Sequence, residues 1–375
     1  MSSTSAAGPH SVVLAAGGTA GHLEPALAVA DELRRRDHAV TVTVLGTTKG
    51  LEARLVPARG YDLQLIEPVP LPRRPGTAML TFPARLAKAV RGAQDVITAA
   101  DADVVVGFGG YAALPAYLAA RRLGRPIVVH EANARPGLAN RVGARLTTYV
   151  AVSVAGTGLP HGRLVGVPLR PEIASLDRAG RRLDARRELG LEPGRPTLLV
   201  FGGSQGAQRI NDAVSGAARS LLGAGCQVLH AAGPGNTVVV DVRPADPPYV
   251  VVAYLDRMDL AYAAADLVLA RSGAMTCTEV AAVGLPAVFV PYPFSNGEQE
   301  LNARPLVQRG GAVLVDDADL TASWVVDHVP ALLTDRARLE AMTVAAATSA
   351  PPDAAGLLVD LVDEAFAGSR VRHGG

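Results

Sequence analysis

Residues 266–302 read DLVLARSGAMTCTEVAAVGLPAVFVPYPFSNGEQELN. The apolar run Leu267 to Ala270 reads as a buried strand. Ser272 and Gly273 follow as a helix start, with Ser272 as the expected N-cap. The helix is expected from about Ala274 to Val283, because Gly284 suits a left-handed C′ position and Pro286 blocks continuation. Ala287 to Val290 is the next strand, Asn296-Gly297 a turn, and a second helix carries Glu298, Gln299 and Asn302. The helix start offers unpaired N–H groups, a natural seat for an anion. A carboxylate at Glu279 can take both hydroxyls of a ribose. Gln299 and Asn302, three apart, share a helix face and can bind sugar hydroxyls. Together these groups suit a nucleotide-sugar pocket. The same pattern also fits a well-capped strand–helix–strand with ordinary surface polar residues.

Outward from this stretch, the chain of 375 residues exceeds what one core usually serves, so two domains are expected. Hydrophobic residues make up 49% and aromatics only 4%, so the core is built from Ala, Val and Leu, which suits parallel strands covered by Ala-rich helices. A net charge of +1 gives no basic excess for nucleic acid. Cys226 and Cys277 imply no disulfide framework and fit a reducing cytosol. Cys277 lies inside the expected helix, where a small buried apolar role suits it better than nucleophilic chemistry. The N-terminal MSSTSAAGPH lacks the features of a signal peptide. The longest uncharged stretch, Val104 to Ala120, is broken by glycines and Pro115 and is too short to span a bilayer.

In chain order, Ser11 to Ala16 is a strand running into Gly17-Gly18-Thr19-Ala20-Gly21-His22, then a helix from about Leu23 to Arg35. Strands are expected at Val40 to Leu45, Asp62 to Ile66, Val104 to Val106, Ile127 to Val129, Tyr149 to Val152 and Arg163 to Val167. A proline-rich loop holds Arg73 and Arg74. Pro168 to Pro171 reads as a linker, and a mixed-charge helix, Asp184 to Gly190, follows. The strand Thr197 to Phe201 then ends in Gly202-Gly203-Ser204-Gln205-Gly206-Ala207. VVLAAGGTAGHLEPALAVA and TLLVFGGSQGAQRINDAVS share one design: strand, GG-[TS]-x-G turn, helix. The chain therefore reads as two similar nucleotide-fold halves, each with a glycine turn that lets backbone approach a phosphate. A last helix, about Asp353 to Ala367, is placed to cross back onto the first half.

GGTAGHLEPALAVA, GFGGYAALPAYLA, HEANARPGLANR, GVPLRPEI, GGSQGA, RSGAMTCTE, GLPAVFVPYP and NGEQELNA resemble the MurG family of glycosyltransferases, in the same order and over nearly the whole chain. The resemblance implies an α/β GT-B fold, two Rossmann-like domains with parallel sheets facing across a cleft. The domains would be residues 1–168, facing acceptor and membrane and joined by the helix at about 352–368, and residues 171–348, binding UDP-N-acetylglucosamine (UDP-GlcNAc). It implies inverting transfer of N-acetylglucosamine to lipid I, the undecaprenyl-linked muramyl-pentapeptide precursor, giving lipid II for peptidoglycan. It implies no metal or other cofactor and a peripheral place on the cytoplasmic face of the cell membrane. Other proteins of cell-wall synthesis are a further class of partner it suggests. By position, Ser204, Gln205 and Gly206 would contact the diphosphate and Leu255 would frame the uracil. Ala274, Met275, Thr276, Cys277, Thr278 and Glu279 would hold the donor, with Glu279 on the ribose. Arg271 and Gln299 would border phosphate and sugar, and Asn302 would reinforce the sugar site. Thr19, Ala20, Gly21, His22 and Asn133 would face the cleft from the first domain, with Arg170 at the hinge. Three positions depart from the family pattern: Ala20 for a glycine, Glu24 for an aromatic, and Glu298 where a glutamine stands.

Inverting transfer needs a base for the acceptor hydroxyl and charge stabilisation on the leaving UDP. His22, at a glycine turn, is the candidate base; phosphate binding is its alternative role. His130 and Glu131 suit packing or support. Ser204, neighbouring N–H groups and Arg271 can replace a metal. An enzyme of the same fold acting on a soluble acceptor such as an antibiotic aglycone, a UDP-GlcNAc epimerase, and a non-catalytic UDP-sugar binder remain open. For the membrane, Arg73, Arg74, Met79, Leu80 and Phe82 precede a helix with no acid from Leu71 to Gln94, which suits an anionic surface. Along that helix Phe82, Leu86, Val90 and Ile97 share a face opposite Arg85, Lys88 and Arg91, as in an ordinary surface helix.

Overall fold

The computed structural model describes residues 8–48, 52–70, 77–294, 296–348 and 353–373. The chain divides into two compact units, Met1–Arg170 with Pro352–Gly375, and Pro171–Pro351. The first unit alternates β1 (Ser11–Ala15), α1 (Ala20–Arg36), β2 (Thr41–Thr47), α2 (Glu52–Ala58), β3 (Asp62–Ile66), α3 (Thr77–Ala99), β4 (Val104–Gly107), α4 (Gly110–Arg122), β5 (Ile127–Glu131), α5 (Leu138–Gly143), β6 (Val150–Val152) and β7 (Gly162–Leu164). The second runs α6 (Pro171–Ala174), α7 (Arg178–Glu188), β8 (Thr197–Phe201), α8 (Gln208–Gly216), α9 (Ala218–Gly223), β9 (Gln227–Ala231), β10 (Tyr249–Val252), α10 (Met258–Ala264), β11 (Leu267–Ala270), α11 (Ala274–Ala282), β12 (Ala287–Phe289), α12 (Glu298–Gln308), β13 (Ala312–Leu314), α13 (Ala322–Thr334) and α14 (Arg336–Ala347). The last helix, α15 (Ala354–His373), belongs to the first unit.

Both sheets are parallel and doubly wound, in the orders β3-β2-β1-β4-β5-β6-β7 and β10-β9-β8-β11-β12-β13. Each unit's first strand is central: β1 pairs with β2 and β4, and β8 with β9 and β11. All residues of β1 and β8 are buried, as Val- and Leu-rich strands covered on both faces must be. The connections leave β1 and β8 in opposite directions, so a crevice opens at the carboxyl end beside each. Both glycine turns sit there.

In the first unit Leu14, Leu27, Val106 and Val128 pack with Leu358, Val359, Leu361, Val362 and Phe366 of α15. Arg36 binds Asp360 at 2.6 Å and the Gly356 carbonyl at 2.9 Å, tying α1 to α15. On another face of the sheet, Val90 and Ile97 of α3 join Val105 and Val129, with Phe82 and Leu86 packed against them. Arg85 donates to the Pro68 carbonyl and Lys88 to Glu67 on the outside. That helix is thus an ordinary amphipathic one, except that Leu80 is 82% exposed. Arg73 and Arg74 lie outside the described residues, as does the side chain of Met79.

Three local expectations need correction. Gly273, not Ser272, caps α11; Ser272 is fully buried and its hydroxyl caps nothing. Helix α1 begins at Ala20, three residues before the expected Leu23. Gly18, with φ +94°, turns the chain so sharply that Thr19 can already serve as N-cap. Helix α7 begins at Arg178 rather than near Asp184, because the Asp177 carboxylate accepts from the Gly180 N–H at 3.0 Å. No described helix is long and apolar enough to cross a membrane.

Candidate active site

In the second unit a cleft of about 830 Å³ opens above the carboxyl ends of β8 and β11. Its floor is the turn Gly202 to Gly206, continuing into the first residues of α8. Gly206 has φ +76°, and a Cβ there would come within 2.0 Å of the Ala232 carbonyl oxygen, so only glycine fits. Asn236 donates its amide to the carbonyls of Gln205 (3.1 Å) and Ala232 (2.9 Å), pinning the turn from behind. The N–H of Gly203 finds no protein acceptor among the described residues. Gly273 and Thr276 bring the start of α11 to the same cleft. Two helix N-termini and a glycine turn therefore present donors to one space, which favours an anion.

Arg271 supplies the fixed positive charge. Its Nη1 donates to the carbonyls of Val290 and Pro291, both at 3.1 Å, and ion-pairs with Asp317 at 2.6 Å. Asp317 also pairs with Arg209 at 2.8 Å, so one carboxylate spaces two guanidinium groups along the wall. Gln299 accepts from the Tyr292 N–H at 3.0 Å, which fixes the loop after β12. Tyr292 and Phe294 stack edge to face at the rim, with ring centroids 5.6 Å apart.

In the first unit His22 lies in the first turn of α1, and its Nδ1 is 3.1 Å from the Thr19 hydroxyl. Burial holds its pKa below the ordinary imidazole value, against the upward pull of Glu131, the Gly17 carbonyl and Glu52. The turn after β4 shapes the space around the ring. A Cβ at Gly109 would stand 3.1 Å from His22 Nε2, and one at Gly110 would stand 2.1 Å from the Gly17 oxygen. Glu131 organises the loop after β5: it accepts from the N–H groups of Asn133 and Gly137, both at 2.9 Å, and from the Asn140 amide at 3.0 Å. His130 is fully buried, with Nε2 2.9 Å from the Gly166 carbonyl and its ring tilted against Phe108. Burial likewise lowers its pKa. The pair supports the loop and does not form a catalytic ion pair.

Residues 12–152 match the glycosyltransferase family 28 N-terminal domain, and residues 197–358 match the family's C-terminal domain. The chain belongs to glycosyltransferase family 28. Within this family, the UDP-N-acetylglucosamine–N-acetylmuramyl-(pentapeptide) pyrophosphoryl-undecaprenol N-acetylglucosamine transferase of Mycolicibacterium smegmatis is 62% identical over 353 residues, covering 92% of this chain and 91% of that protein. Its Streptomyces coelicolor namesake is 57% identical, covering 95% of this chain and 98% of that protein. The crystal structure of Acinetobacter baumannii MurG aligns with a TM-score of 0.74 at 31% identity, over 95% of this chain and 99% of that one. The MurG resemblance read from the motifs, and the two-domain parallel α/β fold with it, are borne out.

Of the family-28 site residues expected in the second unit, Gly206, Arg271, Thr276 and Gln299 line the cleft. Ser204 and Gln205 belong to the turn beneath it, with Gln205 exposed. Ala274, Met275 and Leu255 are partly buried, and Thr278 bonds back to the Ala274 carbonyl at 2.9 Å. Cys277 is buried and its thiol pKa is pushed up, as expected of an apolar filler. Glu279 is only 8% exposed and accepts from the Tyr262 hydroxyl at 2.8 Å. Asn302 is buried in α12, so it and Gln299 differ in exposure although they share a helix. In the first unit Thr19, Ala20, Gly21 and His22 form one turn, and Asn133 shares Glu131 with the loop beside it. Arg170 lies 3.5 Å from Glu24, which also meets Arg59 at 3.5 Å. The acid at this departure from the family pattern thus serves as an ion-pair partner. Glu298 opens α12, where its charge complements the helix dipole.

Sequence reading missed Asp317, Arg209, Asn236 and Glu52. Asn236 alone carried a signal, the second glycine-rich turn HAAGPGN after β9. Among the described residues no group of three or more His, Cys, Asp or Glu is placed to hold a metal.

Proposed function

We propose that this chain transfers N-acetylglucosamine from UDP-GlcNAc to lipid I, forming lipid II with inversion at the sugar carbon. The observation that carries this reading is the second unit's cleft, where a glycine turn, two helix starts and Arg271 converge, in a chain 62% identical to a transferase of that name. The second unit is the donor side and the first the acceptor side. His22 is the base. With its ring hydrogen on Nδ1, donated toward the Gly17 carbonyl and the Thr19 hydroxyl, neutral His22 keeps Nε2 to accept a proton. The helix dipole at the start of α1 and the surrounding burial both favour the neutral imidazole that a base requires. As the acceptor oxygen bonds to the sugar carbon, its proton passes to His22 and the carbon–oxygen bond to UDP breaks. The charge growing on the diphosphate falls to the Gly203 turn, the start of α11 and Arg271. Preorganised donors of this kind stabilise a leaving group without a metal ion.

Lipid I is undecaprenyl-linked and stays in the bilayer, so the chain works as a peripheral protein on the cytoplasmic leaflet, where cell-wall synthesis proteins are natural neighbours. Exposed Leu80 and, five residues on, the cationic Arg85 support a face near the start of α3 for docking to an anionic leaflet. Incubation with radiolabelled UDP-GlcNAc, with and without lipid I, tests the reaction. Label must enter the lipid only when lipid I is present; release of free sugar without acceptor would indicate an epimerase instead. Flotation with anionic vesicles tests the surface. Binding should vanish when Arg73, Arg74 and Arg85 become Glu and Leu80 becomes Ser, with activity on a short-chain soluble acceptor retained.

A further inference from the structure

Glycine turns of one pattern leave β1 and β8, yet the side chains that hold them have opposite polarity. In the second unit Asn236, beyond β9, donates to carbonyls of the turn region. The Gly203 N–H stays available at the cleft. In the first unit Glu52, beyond the corresponding strand β2, does the reverse. Its Oε1 accepts from the Gly18 N–H at 2.8 Å, the Thr47 N–H at 3.3 Å and the Thr47 hydroxyl at 3.2 Å. Gly18 and Gly203 are matched positions, with φ of +94° and +93°.

The seat around Glu52 is built for a carboxylate. Its residue is 1% exposed. A Cβ at Gly17 would stand 3.0 Å from Oε1, and one at Gly46 would stand 3.0 Å from Cγ. Glycine at both places leaves room for the acid. The second oxygen, Oε2, is buried without a hydrogen-bond partner among the described residues. A buried carboxylate with one oxygen unsatisfied costs stability, so packing alone does not account for it.

We propose that Glu52 is an anion built into the first unit's glycine turn, sitting where a phosphate would otherwise bind, and that it positions His22 across that turn. The Gly18 N–H is therefore closed to substrate phosphate, and of the two matched turns only the second unit's receives the donor diphosphate. The charged or titratable groups facing His22 are Glu131 and His130 of β5 and Glu52 of α2. Glu52 and Glu131 both favour the imidazolium, against burial. The proposal rests on the transferase reading only in naming His22 as the base.

The test is an NMR titration of His22 in the full chain, labelled at histidine nitrogen, for wild type, Glu52→Gln and Glu52→Ala. Glu52→Gln keeps an acceptor for Gly18 and removes the charge, so the His22 pKa should fall. Glu52→Ala empties the seat; the pKa should fall there too, and added formate should restore it in this variant only. Transfer to lipid I by Glu52→Ala should drop on the order of 100-fold through misplacement of the base, and formate should recover it. UDP affinity by calorimetry should be equal in all three proteins. An unchanged His22 titration in Glu52→Gln overturns the proposal, as does failure of formate to restore a folded Glu52→Ala. Should Glu52→Ala not fold, the glutamine variant decides. A wild-type protein that transfers no sugar would sink the transferase reading and leave the titration result intact.

Discussion

Single side chains carry the chemistry, and Glu279 and His22 make the sharpest claims. Glu279 accepts from the Tyr262 hydroxyl, and a carboxylate has about four acceptor sites. Glu279→Ala should weaken UDP-GlcNAc binding by about 1.5–3 kcal/mol, as for a hydrogen bond to a charged group. Tyr262→Phe should act in the same direction by roughly 0.5–1.5 kcal/mol, because only orientation is lost. Wild-type affinity in both variants, measured by calorimetry, would remove Glu279 from the donor site. For His22 the sign follows from its lowered pKa. The neutral form is the base, and its population falls as pH drops through the folded pKa. The acid limb of kcat/KM should therefore lie below the ordinary imidazole value of about 6.5. His22→Ala should cut kcat by about 10²–10⁴-fold with donor affinity kept. Loss of affinity with kcat intact would make His22 a binding residue.

Elements set where those side chains stand, and β9 shows the cost. His230 in β9 is fully buried, its Nε2 3.0 Å from the Asn211 oxygen and its Nδ1 2.9 Å from the Tyr249 hydroxyl. Asn211 in turn donates to the Ala232 carbonyl, beside the donor turn. Burial lowers the His230 pKa to about 4. Between that value and the unfolded value near 6.5, the unfolded chain binds a proton that the native chain refuses. Stability should thus be full above about pH 6.5 and fall by roughly 3 kcal/mol on descending to about pH 4. Urea titrations across this window check it, and a flat profile would show that His230 takes up its proton as readily in the folded chain as in the unfolded one. The glycine turns follow the same logic of elements. Their Gly-Gly pairs and the strand–helix context were legible, since few other residues tolerate such backbone. The start of α1 was not, because it depends on how sharply Gly18 turns the chain.

At the scale of the molecule, the first unit is completed by residues from the far end of the chain. Leu358 of α15 is fully buried among β1, α1 and β4 side chains. Leu358→Ala should destabilise the first unit by about 2–5 kcal/mol, the usual cost of a large-to-small core change. Thermal unfolding followed by circular dichroism will show it, and UDP affinity should persist, since the donor cleft lies wholly in the second unit. An unchanged melting profile would mean that α15 is only loosely seated.

The sequence by itself determined two parallel α/β halves, the strand centres, both glycine turns and the family. Those rest on local properties: apolar runs of strand length, glycines where φ is positive, and motif order. Ser272 shows the limit, since its type suits an N-cap and burial instead placed it in the core. Only the tertiary structure decided that Asp317 spaces Arg271 and Arg209, that Asn236 pins one glycine turn, and that Glu52 fills the other. These partners are separated by 31 to 108 positions or stand on different strands' loops. No local rule couples them; parallel crossovers bring the strand ends together, and charge then pairs across the gap.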